Sequence, residues 1–166
     1  VTVMNNKYTT LLFDADNTLL DFTRAERAGI TDTLIGMGLP ATDEVVTTYS
    51  KINDGLWKDL ERGLVTKERL KVVRFERLCQ HYSLEGDPAA IAAEYVKNLS
   101  KYGFLCDGAL ELCRTLYGKY DMYIITNGIK VIQDSRFAKS GIKDYFTRAF
   151  ISDEIGCEKP GRAFFD

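Results

Sequence analysis

The chain has 166 residues, 45% of them hydrophobic and 28% charged, a globular composition large enough for one core and a modest insert. Its formal net charge of -2 and pI near 5.5 exclude the basic footprint expected for binding a nucleic-acid polymer or an anionic membrane. The apolar runs are too short to span a bilayer and the leading VTVMNNKY lacks the apolar stretch of a signal peptide, so a cytoplasmic protein is expected, with Met4 a candidate start.

Taken in order, Thr10–Phe13 is apolar and β-prone and runs into Asp14, Ala15, Asp16, Asn17 and Thr18, all small or turn-forming. A strand is therefore expected to end on two acids. Open α/β sheets bind ligands outside the carboxyl ends of their strands, which makes Asp14 and Asp16 candidate site residues. The same stretch also suits a plain polar turn, with Thr18 capping a helix.

Residues 23–38 read as a helix with Ala25, Ala28, Leu34 and Ile35 on one side, ended by Gly38 and Pro40. Residues 43–62 place Val45, Tyr49, Ile52, Leu56 and Leu60 on one stripe, with Thr42 as cap, Asp43 and Glu44 at the positive end, and Gly63 closing the run. Thr66 opens a third helix whose Val72, Phe75, Cys79 and Tyr82 follow a helical period, with Arg and Lys filling the other face. Asp87 and Pro88 start a fourth, carrying Ile91, Tyr95 and Leu99. Four amphipathic helices between one strand and the next read as a helical bundle inserted into another domain.

From Asp107 the pattern changes. Asp107 is expected to cap a helix bearing Leu110, Cys113 and Leu116 that ends near Gly118. MYIITNG, Met122 to Gly128, reads as a strand with a polar tip; a helix follows to Ser140 and Gly141, and Arg148–Ser152 reads as a third strand running into Asp153. Strands separated by helices imply right-handed crossovers and a parallel sheet, which would bring Asp14, Thr126 and Asp153 to one edge. Lys159 and Pro160 precede what reads as the first turn of a helix at Arg162–Asp166, and a chain stopping there is expected to be a fragment of a longer protein. The cysteines, Cys79, Cys106, Cys113 and Cys157, lack any Cys-x-x-Cys spacing and are expected to be reduced and mostly buried rather than a zinc or redox site.

In order as well as identity these residues resemble the haloacid dehalogenase (HAD) superfamily. DADNT at Asp14–Thr18 is similar to its first motif, the Thr126–Asn127 strand tip to its second, and Lys159–Pro160 to its third. The helical insert is similar to the type 1 cap, and Gly55–Leu78 within it resembles the branch of pyrimidine 5'-nucleotidases. The resemblance implies an α/β fold: a parallel-sheet, Rossmann-like core over residues 1–17 and 103–166, C-terminally incomplete, with an inserted helical-bundle cap over residues 18–102. It implies a Mg²⁺-dependent phosphohydrolase that cleaves a small phosphomonoester, foremost a nucleoside 5'-monophosphate, through an aspartyl-phosphate. A sugar-phosphate or phosphoglycolate phosphatase is one alternative; a catalytically incomplete phosphate-binding or interaction module is another.

The roles implied by the resemblance agree with the chemistry of the side chains. Asp14 would be the nucleophile, and Asp16 the general acid and base that the dehalogenases of the superfamily lack. Thr126 and the amides near Asn127 and Gly128 would bind phosphate, and Lys159 would offset the repulsion between phosphate and Asp14. Magnesium would take a carboxylate oxygen of Asp14 and the backbone carbonyl of Asp16. The fourth motif, an acidic pair after a further strand, does not occur within these residues, so weak metal binding is expected, with Asp153 and Glu154 as loop acids. The first strand, central in the family's sheet, would lie at an unpaired edge, covered by the rest of a longer protein or by self-association. Closing the cap would exclude water and choose the substrate. His81 is expected to be a surface or partly buried residue rather than a catalyst, Trp57 and Phe75 in the core rather than against a nucleobase, and Arg74 and Lys58 away from substrate.

Overall fold

Three parallel strands, β1 (Thr10–Asp14), β2 (Asp121–Thr126) and β3 (Arg148–Ile151), form one sheet in the order β1-β2-β3. The computed structural model describes residues 8–166, so the candidate start at Met4 lies outside the described residues. Asp14 pairs in register with Ile125 and Thr126 with Ile151, which lines up the carboxyl ends of the strands. Parallel neighbours need long connections. The first carries helices α1 (Phe22–Gly36), α2 (Asp43–Glu61), α3 (Lys67–Tyr82), α4 (Pro88–Leu99) and α5 (Ala109–Leu116), and the second carries α6 (Lys130–Ser140). The arrangement is the α/β, Rossmann-like fold expected from the sequence. Among the described residues β1 has β2 as its one strand neighbour, and Leu12 on it is about half exposed.

The chain divides into two compact units, one comprising the chain up to Phe22 with Gly103–Asp166, the other Thr23–Tyr102. The sequence reading puts the first boundary after Asn17, whereas Thr18–Phe22 stays with the sheet. Cys106 N donates to Leu19 O at 2.9 Å and Asp21 N to Phe104 O at 2.9 Å, and Leu19 and Leu20 are fully buried. In the sheet unit Ile124 of β2 shares a core with Ala15, Leu19 and Leu20, with Ala109 and Cys113 of α5, and with Phe137 of α6. Removing a ring such as that of Phe137 from such a core costs about 3–5 kcal/mol. Asp107 does not cap α5. Gly108, at φ 77°, occupies that place in a left-handed conformation that costs glycine nothing. β3 passes at Ser152 straight into a short helix, α7 (Ser152–Ile155), so Asp153 and Glu154 are helical rather than loop acids. The Arg162 segment is a single 3-10 turn, Arg162–Phe164.

In the helical unit the local signals act as read. The side chains of Thr42, Thr66 and Asp87 accept from Val45 N, Arg69 N and Ala89 N and so start α2, α3 and α4. Tyr49, Phe75 and Tyr95, one from each of those helices, form a fully buried aromatic cluster with ring centroids 5.3–5.5 Å apart. Phe75 is therefore core, and Trp57 packs beside Leu56, Leu60 and Leu70. Two expectations fail. Ile35 points outward, 65% exposed, because Ile30 and Leu34 take the inner positions of α1. The basic face of α3 is not all solvated: Lys67 and Arg74 are buried, and the Arg74 guanidinium lies 4.7 Å from the Tyr95 ring and donates to Asn53 Oδ1 at 3.1 Å. No helix among the described residues is long and apolar enough to cross a membrane.

Candidate functional site

A tight turn carries the two acids at the end of β1. Leu19 N and Leu20 N donate to Ala15 O at 3.0 and 2.9 Å, and Asn17 N donates to Leu20 O at 2.7 Å. Asn17 sits at φ 57°, a left-handed conformation that Asn tolerates better than most side chains. Because α1 begins only at Phe22, Thr18 caps nothing. The turn buries Ala15 completely and leaves the flanking carboxylates accessible, Asp14 at 45% and Asp16 at 30% side-chain exposure.

Lys159 comes to Asp14 from the far end of the chain. Its Nζ donates to Asp14 Oδ1 at 2.6 Å and to the carbonyl of Ile125, Asp14's partner on β2, at 2.9 Å. Its backbone is held by Asn127, whose Oδ1 accepts from Lys159 N and whose Nδ2 donates to Lys159 O, both at 2.8 Å. The sequence expectation for Asn127 concerns its backbone amide; its side chain has a further task, fixing the segment that delivers Lys159.

Asp16 is held by α6. Gln133 Nε2 donates to Asp16 Oδ2 at 2.8 Å and to Thr126 Oγ1 at 3.0 Å, while Arg136 Nη1 donates to Asp16 Oδ1 at 2.5 Å and to Gln133 Oε1 at 3.1 Å. Thr126 Oγ1 also accepts from Gly128 N at 3.2 Å. With both acceptor positions used, the Thr126 hydroxyl keeps its hydrogen to donate. The Gly128 amide faces Thr126, and the first amide of α6, Lys130 N, donates to Asp153 Oδ2 at 3.0 Å. Asp153 thus serves the start of α6, and Glu154 pairs with Lys130 at 3.5 Å.

The structure brings together Asp14 with Lys159, Lys159 with Asn127, and Asp16 with Thr126. It also adds two residues that the sequence reading missed, Gln133 and Arg136. Their signal was present: they share the buried side of α6 with Ile132 and Phe137, and polar side chains on such a stripe require partners. Elsewhere, burial pushes the Cys79, Cys106 and Cys113 thiols above their ordinary range, which suits inert rather than nucleophilic sulfur. His81 is exposed, and Lys58 is an exposed partner of Asp54.

Among the described residues no group of three or more His, Cys, Asp or Glu side chains could hold a metal ion. Magnesium, however, commonly uses one or two carboxylates, waters and substrate phosphate. The accessible Asp14 carboxylate suits that donor set. The Asp16 side chain is turned to Arg136 and Gln133, which leaves its backbone carbonyl as the donor it can add.

The chain as a whole is similar to several known proteins. The sequence profile described as haloacid dehalogenase-like hydrolase matches residues 8–166. The pyrimidine 5'-nucleotidase PynA of Streptococcus pneumoniae (strain ATCC BAA-255 / R6) is 39% identical over 160 residues, which are 96% of this chain and 68% of that protein. The pyrimidine 5'-nucleotidase YjjG of Escherichia coli (strain K12) is 30% identical over 160 residues, 96% of this chain and 69% of that protein. Among solved structures, that of the Bacillus subtilis protein YfnB, a HAD-hydrolase by name and described as bound to magnesium, matches with a TM-score of 0.90 at 35% identity, covering 95% of this chain and 71% of that one.

Proposed function

The chain belongs to the haloacid dehalogenase-like hydrolase family, and from that premise we propose that it is a phosphohydrolase cleaving a pyrimidine nucleoside 5'-monophosphate. The observation that carries the reading is the Lys159–Asp14 pair at the strand ends, with the Thr126 hydroxyl on the adjacent strand. The substrate class rests on the two relatives named as pyrimidine 5'-nucleotidases.

In this reading an Asp14 oxygen attacks phosphorus, the bond from phosphorus to the nucleoside oxygen breaks, and an aspartyl-phosphate forms. Asp16 gives a proton to the departing oxygen, then takes one from the water that hydrolyses the intermediate. Its carboxylate accepts from Gln133 and Arg136, yet each oxygen keeps a further lone pair for that work. The Lys159 ammonium offsets the repulsion between the carboxylate and the incoming dianion, which at short range would otherwise keep them apart. The Thr126 hydroxyl donates to a phosphate oxygen. Magnesium, held by the Asp14 carboxylate and the Asp16 carbonyl, would supply further positive charge against the phosphate.

Phosphate release from a panel of pyrimidine and purine 5'-monophosphates, sugar phosphates and phosphoglycolate, with Mg²⁺ present, tests the proposal. The pyrimidine monophosphates are expected to turn over fastest, and Asp14→Asn to reduce release to background. Release that survives Asp14→Asn would remove the covalent mechanism, and preference for another phosphomonoester would remove the nucleotidase assignment.

A further inference from the structure

We propose that Gln133 and Arg136 are positioning residues that set the placement of the proton-transfer group relative to the phosphate-binding hydroxyl. This rests on the phosphohydrolase reading of Asp14 and Asp16 and assigns a part of that site for which the motif residues alone do not account.

A single amide nitrogen, Gln133 Nε2, donates to both Asp16 Oδ2 and Thr126 Oγ1. Neither group can shift without losing a bond to the same atom. The orientation of that amide is itself determined, because Oε1 accepts from Arg136 Nη1; turned over, it would set an oxygen against the Asp16 carboxylate and a donor against the guanidinium. Arg136 completes the ring by donating to the other Asp16 oxygen, with Phe22 5.5 Å from its guanidinium carbon. Asp16 is therefore fixed at both oxygens, in position and in rotation.

The burial of this network is what makes it informative. Gln133 is 1% exposed and Arg136 is fully buried. Taking a guanidinium out of water is costly, and a buried ion pair contributes little net stability against an apolar replacement. What such a pair does contribute is direction. Gly128 supports the same conclusion. A Cβ there would lie 2.6 Å from Gln133 Cγ and 2.7 Å from Nε2, so a residue without a side chain is what lets Gln133 reach across the strand end to Asp16. Its positive-φ freedom is not involved.

The two arms predict different kinetic effects. The Asp16 arm matters where the leaving oxygen needs a proton, and the Thr126 arm where phosphate is held. Steady-state kinetics of the full chain with Mg²⁺ would compare uridine 5'-monophosphate, whose alkoxide must be protonated, with p-nitrophenyl phosphate, whose phenolate leaves unprotonated. Gln133→Met should lower kcat/KM for the nucleotide by about 10–100-fold more than for the aryl ester, a fraction of the roughly 10²–10⁴-fold that general acid catalysis supplies, on top of a loss common to both from the Thr126 arm. The contrast is read in kcat/KM because that quantity ends with departure of the leaving oxygen, whereas kcat also contains hydrolysis of the aspartyl-phosphate, in which Asp16 takes a proton whichever substrate formed it. Arg136→Lys, which keeps the buried charge, should show the same split. Equal losses of kcat/KM on both substrates in either folded variant, or no loss on either, would overturn the positioning role while leaving the phosphohydrolase intact. A wild-type chain that releases phosphate from neither substrate would overturn both readings together.

Discussion

The Lys159 ammonium lies 2.6 Å from the Asp14 carboxylate although the two residues are 145 positions apart in sequence, and it spans β1 and β2 by also donating to Ile125 O. The proposed nucleophile is thus paired with a cation before any substrate arrives, so the charge that would oppose a phosphate is already partly offset. Lys159→Met is expected to lower kcat by about 10²–10³, the range for losing one preorganised charged donor. Lys159→Arg should restore little of it, because a planar fork does not reproduce a point charge serving a carboxylate and a carbonyl at once. Turnover by Lys159→Met at the wild-type rate would remove the residue from the chemistry.

Asn127 supports Lys159 through two hydrogen bonds to its backbone, one in each direction. Asn127→Ala forfeits both and should cost about 1–3 kcal/mol in denaturant unfolding, with a fall in kcat as the Lys159 segment loosens. Asn127→Asp should do no better despite its shape. An Asp oxygen can still accept from Lys159 N, but the other then faces Lys159 O, where Asn donates. Full retention of kcat in the Asp variant would show that the Lys159 segment is held by other contacts.

Both residues bear on what the sequence made legible. The family, the parallel sheet and the order of Asp14, Thr126 and Lys159 were readable because each depends on a short run of residues: a β-prone stretch ending in small polar groups, then a known motif order. The caps Thr42, Thr66 and Asp87 were readable for the same reason, since a cap bond spans two or three residues. The tasks of Asn127, Gln133 and Arg136 were not, because each is defined by a partner 32 to 120 positions away. Arg74 misled by its type. A charged residue on a helix is normally solvated, and only its contacts with Asn53 and the Tyr95 ring make its burial tolerable. Asp107 failed as a cap because Gly108, with its left-handed backbone, stands between it and the helix.

Glu26, buried in the helical unit, carries a pH dependence of stability. Burial pushes its carboxyl above the ordinary value of 4.5, against the opposing pull of hydrogen bonds from Ser50 and Asn53 and the charge of Arg74, while Asp54 adds to the push. An acid whose folded-state value is raised binds its proton more tightly in the folded chain. Its contribution is therefore fully present below the unfolded value of about 4.5 and lost as pH rises through the folded value. Glu26→Gln keeps an oxygen for Asn53 Nδ2, which donates at 2.7 Å, and has no proton to lose. Urea unfolding at a series of pH values should show the variant gaining on the wild type from mild acid to neutrality. A difference that moves the other way would mean that Arg74 stabilises the ionised carboxylate more than burial opposes it.

Two glycines should respond to alanine with opposite signs. A Cβ on Gly103 would lie 2.5 Å from Arg136 O, 2.8 Å from Ser140 N and 2.9 Å from Lys139 C. All three are backbone atoms of the last turns of α6, which cannot rotate away as a side chain would. Gly103→Ala is expected to cost about 1–3 kcal/mol, the usual range for overpacking. It should also slow turnover, since the atom struck first belongs to the residue that holds Asp16. Gly55 lies inside α2 with nothing within 4 Å of its added carbon. There alanine removes backbone freedom from the unfolded chain and meets no obstacle, so Gly55→Ala should gain about 0.4–1 kcal/mol. Denaturant midpoints measured side by side check both. If Gly103→Ala proved neutral while Gly55→Ala stabilised, the segment at residue 103 would be free to draw back from α6, and its close approach would not be what seats Arg136.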